Sequence, residues 1–363
     1  MKHRGARRPT MADVARHAGV SQTAVSFVMN DVATANIPDE TRARIWEAVG
    51  ALRYRPNAVA KGLRTSQSDT IGFISDEIAT TPHAGDVIKG AQDLAWSCGK
   101  VLVIVNTGRS PTMAAAAVEM MLERRVEGII YAAVYHQVVT PPPNIREVPC
   151  VLVDCYCADR SLPSVVPDEV GGGEDATALL LRQGRRRIGL INLEAELPAA
   201  IGRLEGYRRA LAAADVLFDP ALVRNSEGIA QTGYVYAREL LHAADRPTAL
   251  FCATDRTAMG AYDAIRELGL TIPDDVAVVG FDNQTIISEQ IRPPLTTLQL
   301  PHYAMGQWAI RYLLTHAGDG HGGDLPPPIQ ETLPCPLIER ASTRPPPDVI
   351  SRSRPAPDRA ASR

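Results

Sequence analysis

The chain has 363 residues, enough for two or three compact units with cores of their own. Its net charge of −3 conceals a polarity: residues 1–65 hold eleven Lys/Arg against five Asp/Glu, a net of +6, which leaves −9 for the remainder. A nucleic-acid footprint is therefore expected only at the N-terminal end, and with neither an apolar run of membrane-spanning length nor a secretory leader the expectation is a cytoplasmic protein without a membrane partner.

From Thr10 to Asn30 two short helical patterns meet at Gly19-Val20, and each opens on a hydroxyl residue able to cap it, Thr10 with Asp13 three residues on, then Ser21. Val14, Ala15 and Ala18 line one face of the first, and Val25, Val28 and Met29 one face of the second. The glycine permits the tight bend, which makes a helix-turn-helix. The outward side of the second helix carries Gln22, Thr23, Ser26, Phe27 and Asn30, residue types suited to base edges and phosphates in a major groove. Residues Pro38 to Tyr54 read as a third helix, with Ile45, Val49 and Leu52 inward. A short basic segment through Asn57, Ala60, Lys61, Leu63 and Arg64 follows, then a polar linker to Asp69.

Beyond the linker the pattern changes to alternating apolar strands and amphipathic helices: strand Ile71 to Ser75, helix Ala84 to Cys98, strand Val101 to Asn106, helix Thr112 to Arg125, and strands Gly128 to Val134 and Val148 to Cys155. A second round runs through helix Gly173 to Gln183, strand Arg187 to Asn192, helices Gly202 to Ala214 and Gln231 to Ala243, strand Ala249 to Ala253, helix Arg256 to Leu268 and strand Val276 to Phe281. The last pieces are a strand at Leu295 to Leu300, helix Tyr303 to Thr315, a Gly-rich loop Gly318 to Asp324 and one terminal strand around Ile329 to Ile338. Such alternation predicts parallel sheets covered on both faces. The Pro- and Arg-rich residues 344–363 cannot bury a face and are expected to be disordered, without the apolar heptad of a coiled coil.

The six cysteines show no CxxC spacing, Cys155-Tyr156-Cys157 lacks a matching His or Cys pair, and the eight histidines form no HExxH motif, so no metal and no cofactor are expected. No dinucleotide fingerprint, phosphate loop or nucleophile elbow occurs, which argues against an enzyme.

Three motifs in order, Asp13-Val14-Ala15 through Val25-Ser26 and Asn30, Tyr54-Arg55-Pro56-Asn57, and Ile272-Pro273-Asp274-Asp275-Val276 through Gly280-Phe281-Asp282, make the chain resemble bacterial transcription regulators of the lactose/galactose repressor (LacI/GalR) family over roughly Thr10 to Thr343. The resemblance implies an α/β fold: an all-α helix-turn-helix headpiece (1–55), a hinge helix and linker (56–69), and two periplasmic-binding-protein-like lobes of doubly wound parallel sheet (70–343), with lobe 1 about 70–163 and 297–325 and lobe 2 about 164–296 and 326–343. It implies a homodimer on double-stranded palindromic operator DNA, a repressor whose operator affinity responds to a small effector between the lobes. DNA contacts are then expected from Thr10, Met11, Ser21, Gln22, Thr23, Ser26, Phe27 and Asn30, and from Asn57, Ala60, Lys61 and Leu63 in the hinge, Leu63 as a minor-groove wedge. Phe27 stands where the family carries an arginine for guanine; an apolar contact with a thymine methyl and packing on the headpiece core are both open. Effector contacts are expected from Arg203, Asp282, Thr254 and Asp255, with Asp76, Glu77 and Asp154 contributing from the first lobe, a set suited to the vicinal hydroxyls of a sugar or polyol. The alternative is a periplasmic-type sugar-binding protein without gene regulation.

Overall fold

The computed structural model describes residues 9–30, 35–55, 68–81, 84–316 and 328–343. The expected hinge contacts Asn57, Ala60, Lys61 and Leu63, the Gly-rich loop and the tail beyond 343 lie outside the described residues. The chain divides into two compact units, Met1–Asp69 and Thr70–Arg363.

The N-terminal unit consists of α1 (Met11–Ala18), α2 (Gln22–Met29) and α3 (Asp39–Ala51) around a small core of Val14, Ala15, Ala18, Val25, Val28, Ile45 and Ala48, closed by Tyr54. Both expected caps are present. Thr10 and Asp13 form a reciprocal capping box, and the Ser21 hydroxyl accepts from the Ala24 N–H at 3.1 Å. Gly19 turns the chain between the helices at φ +66°, a conformation that L side chains pay for and glycine does not.

The second unit holds two six-stranded sheets. In lobe 1 the strands are β1 (Thr70–Ser75), β2 (Val101–Asn106), β3 (Ile129–Val138), β4 (Cys150–Tyr156), β5 (Ser164–Pro167) and, from the end of the chain, β11 (Gln330–Leu333). All pair in parallel in the order β11-β5-β4-β3-β1-β2. Helices α4 (Gly85–Ser97) and α5 (Pro111–Glu123) cover its two faces, joined on the α4 side by α11 (His302–His316). Lobe 2 has β6 (Ile188–Asn192), β7 (Val223–Asn225), β8 (Ala249–Cys252), β9 (Ala277–Asp282), β10 (Thr296–Gln299) and β12 (Leu337–Ile338) in the order β12-β10-β9-β8-β6-β7, with β12 alone antiparallel. Helices α6 (Glu169–Arg182) and α7 (Pro198–Ala213) pack on one face, α8 (Ala230–His242) and α9 (Asp255–Glu267) on the other, and the one-turn α10 (Thr285–Ser288) follows β9. Strands such as β4, β6, β8 and β9 are buried almost end to end, as a sheet covered on both faces requires.

Strand membership corrects two expectations. The single terminal strand around Ile329 to Ile338 is two strands in two different sheets, because Pro334 and Pro336 have no N–H to give and end the ladder between them. The passages between lobes also fall later than 164, 297 and 326: β5 still belongs to lobe 1, β10 still to lobe 2, and β11 to lobe 1. The chain therefore crosses three times, after Pro167, after Gln299 and after Leu333.

Candidate functional site

Two surfaces gather the residues singled out above. In the N-terminal unit, packing of Val25 and Val28 on α1 and α3 turns the opposite side of α2 outward. Ser21, Gln22 and Thr23 at its first turn are exposed, as is Asn30 at its end. Phe27 is 39% exposed, so its ring is not consumed by the core. Ser26 is half-buried and tied to the C-cap, since Asn30 Nδ2 donates to its carbonyl at 2.6 Å. Thr10 is engaged in its capping box and Met11 packs against the core, so their side chains serve the helix first. What remains open is a helix N-terminus with an amide, two hydroxyls and an aromatic edge, which is the equipment for reading bases and holding phosphates.

In the second unit a cavity of about 370 Å³ lies between the lobes at the carboxyl ends of their strands, where open α/β sheets bind ligands. Glu77 reaches it from just after β1, Asp154 from the end of β4, Arg203 from α7, Thr254 from the turn after β8 and Asp282 from the end of β9, so five of the seven expected effector residues line one space. Asp76 and Asp255 are not among its lining. Asp76 turns back to accept from the Glu77 N–H at 2.6 Å and from Gln137 Nε2 at 3.3 Å, and its neighbour Glu77 reaches the cavity instead, paired with Arg109 at 3.2 Å. Asp255 is fully buried behind the wall, where it accepts from the Thr297 hydroxyl and the Gln284 N–H, each at 2.6 Å. It clamps the loop after β9 to β10, and burial drives its carboxyl far above the usual range.

Arg203 is placed by glycines. Helices α6 and α7 cross so closely that a Cβ on Gly173 would come within 2.5 Å of the Arg203 carbonyl, and one on Gly206 within 2.1 Å of the Val170 carbonyl. The crossing sinks Arg203 against the first turn of α6, where Nε donates to Glu169 Oε2 at 2.7 Å, Nη1 donates to the Ala253 carbonyl, and the guanidinium lies 3.7 Å from the centre of the Phe281 ring. Nη2 has no protein partner among the described residues. Glu169 was missed by sequence reasoning, which started this helix at Gly173. Its other oxygen stands 3.6 Å from His136 Nδ1 of lobe 1, just beyond a hydrogen bond. Burial is the largest single influence on the Glu169 carboxyl and pushes it up, but the Arg203 charge, His136 and the Arg203 hydrogen bond together more than reverse this and hold it below the ordinary range. Asp282 is pushed up to about 6 by burial, against the pull of Arg203. Asp282 makes its own hydrogen bond to Gln284 Nε2 at 2.8 Å, so the pairing partner of Arg203 is Glu169.

Asp154, only 2% exposed, adopts φ +56° and stands 3.7 Å from His302 Nε2, while its Oδ1 has no hydrogen-bond partner among the described residues. A buried acceptor of this kind awaits a donor. No group of three His, Cys, Asp or Glu among the described residues is arranged to hold a metal ion, and no described helix is long and apolar enough to cross a membrane.

Comparison with known proteins fits these two surfaces. The model of bacterial regulatory proteins of the lacI family matches residues 10–57, and that of the periplasmic binding protein-like domain matches residues 177–343. The HTH-type transcriptional repressor PurR of Photorhabdus laumondii subsp. laumondii is 32% identical over 308 residues, covering 84% of this chain and 89% of that protein. Among solved structures, the lac repressor dimer bound to operator and the anti-inducer ONPF is 27% identical over 93% of this chain and 99% of its own, with a TM-score of 0.77. The transcriptional regulator CelR in complex with cellobiose is 28% identical over 92% of this chain and 100% of its own, with a TM-score of 0.65. On the helix-turn-helix, the two-lobed fold and these relatives, the chain belongs to the lacI family of bacterial regulatory proteins.

Proposed function

We propose that this regulator is a homodimeric repressor that binds a palindromic operator through α2 and releases or tightens its hold when a small sugar-like effector occupies the cavity between the lobes. The observation that carries the reading is that Asp154 of lobe 1 lines the same cavity as Arg203, Thr254 and Asp282 of lobe 2. A ligand that bridges them interacts differently with open and closed lobes, and that difference in affinity is what shifts a two-state equilibrium. Carboxylates accept from vicinal hydroxyls, Arg203 Nη2 donates in turn, the Thr254 hydroxyl holds the wall by donating to the Gly228 carbonyl and accepting from the Thr257 N–H, and Tyr135 lines the same space with an aromatic ring against which a sugar ring can pack. In the N-terminal unit, Gln22 and Thr23 are the residues for base edges, with Phe27 as an apolar contact. The division into headpiece, hinge and two lobes has the hinge residues Asn57, Ala60, Lys61 and Leu63 transmit the lobe arrangement to DNA. The functional unit is a DNA-binding, effector-responsive regulator and carries no catalysis.

The test is a selection of operator fragments from genomic DNA followed by titration at several salt concentrations, with and without sugars and polyols that raise the melting temperature. Affinity should fall steeply with salt because phosphate contacts release counterions. An affinity indifferent to salt, or to every ligand that stabilises the second unit, overturns the reading.

A further inference from the structure

The cavity is lined by six carboxylates, from Glu77, Asp154, Glu169, Glu194, Glu227 and Asp282, against three guanidiniums, from Arg109, Arg203 and Arg256. Two of those guanidiniums are already matched from within the protein, Arg109 by Glu77 at 3.2 Å and Arg203 by Glu169 at 2.7 Å. The second match matters most. Arg203 and Glu169 are 3% and 4% exposed, so their pairing is shielded from water and salt, and an incoming anion cannot claim Arg203 without displacing a carboxylate that has nowhere hydrated to go. Asp154, buried and lining the same space, adds a second carboxylate to what an entering anion meets. His136, facing Glu169 at 3.6 Å from lobe 1, is the only other nitrogen base against this carboxylate among the described residues.

We propose that Glu169 is a charge filter in the effector cleft: by occupying Arg203 from inside the protein, it admits uncharged polyhydroxylated ligands and turns away their carboxylated or phosphorylated counterparts. The proposal rests on the reading of this cavity as a carbohydrate site and narrows it. An uncharged polyol donates hydroxyls to Asp154 and Asp282 and accepts from Arg203 Nη2, leaving the Glu169 pair intact. A uronate of the same ring brings a charge that meets six carboxylates and, beyond the two matched guanidiniums, only Arg256 among the lining, and like-charge juxtaposition in a desolvated site is the strongest available element of rejection.

The experiment uses the full chain and four matched pairs of probes, glucose, galactose, mannose and allose with the corresponding uronates, in thermal shift and calorimetric titration. The expected result is at least one hexose that binds, with its uronate weaker by about 100-fold or more, since like-charge contact costs several kcal/mol and about 1.4 kcal/mol is tenfold. In Glu169→Gln the ratio should narrow by about tenfold or more because Arg203 is then available to the carboxylate. Glu227→Gln, which removes a cleft carboxylate that is not on Arg203, should narrow it far less. Uronates that bind wild type as tightly as hexoses overturn the filter and leave the carbohydrate reading standing. A ratio that Glu227→Gln relaxes as much as Glu169→Gln also overturns it, assigning selectivity to the general field of the cleft. Should Glu169→Gln fail to fold, the wild-type ratio and the Glu227→Gln ratio still decide. If neither series binds, the carbohydrate reading falls and the filter with it.

Discussion

Arg203 Nε and Glu169 Oε2 meet at 2.7 Å with both side chains withdrawn from water, and the contact joins the first turn of α6 to the first turns of α7. Buried ion pairs contribute little net stability relative to a well-packed apolar pair, but removing one partner strands a charge. Arg203→Met should therefore destabilise the second unit by about 3–5 kcal/mol. Combining it with Glu169→Gln should recover most of the loss. Thermal and denaturant melts of the single and double variants measure this, and equal stability of all three would contradict the pairing.

The crossing that creates this contact has its own test. Gly206→Ala puts a methyl 2.1 Å from the Val170 carbonyl, which is backbone and cannot swing away. The helices must separate, at a cost of about 1–3 kcal/mol for overpacking, and Arg203 moves with α7. Loss of effector binding beyond the loss of stability is the expected outcome. A stable, normally binding Gly206→Ala would show that the close approach is not required.

The acids of the cleft titrate in opposite senses. Burial raises the folded-state value of Asp282 to about 6, above the ordinary 3.8, so the folded state takes up its proton first and the group's penalty is present above pH 6 and relieved as pH falls from 6 toward 4. Glu169 is held below its ordinary 4.5, so its contribution is present above that value and lost as pH falls through the lower folded value. Melting curves of wild type minus Asp282→Asn should show a rise between pH 6 and 4 that belongs to Asp282. Effector affinity should decline in the same window, because a protonated Asp282 no longer accepts two hydroxyls. A flat difference curve would remove Asp282 from this account.

In the N-terminal unit the roles of capping and reading separate. Thr10→Ala breaks the capping box and should cost about 1 kcal/mol of stability in that unit. Gln22→Ala touches no core residue and should leave melting unchanged while reducing specific operator affinity by about 1–3 kcal/mol and non-specific affinity hardly at all. Gel-shift competition with unrelated DNA distinguishes them. A Gln22→Ala protein with unaltered specificity would move base reading to other residues of α2.

Much of this was legible in the chain because its signals are local. Thr10 with Asp13, Gly19 and Ser21 announce two capped helices within twelve residues, and apolar runs such as Val278 to Phe281 can only be strands buried on both faces. Glu169 was not legible. A carboxylate beside three glycines reads as part of a turn, and only the spacing of Gly202 and Gly206 one helical turn apart, facing that run, signals a tight crossing that could bury it. Asp255 looked like a ligand contact because it follows a strand; its side chain points instead to Thr297, forty-two residues away, which no local pattern encodes. Pro334 and Pro336 mark a break that the expectation of a single last strand passed over, and the destination of each half, one sheet or the other, depends on topology alone.

That division of the last strands also orders events during synthesis. The reading helices are complete within the first 51 residues, whereas the edge strands β11 and β12 begin at Gln330 and Leu337. The headpiece thus emerges from the ribosome nearly three hundred residues before either lobe can close its sheet. A stop codon between His316 and Gln330 strips one strand from each lobe at once, leaving a polypeptide that still carries its helix-turn-helix on a body with two unfinished edges.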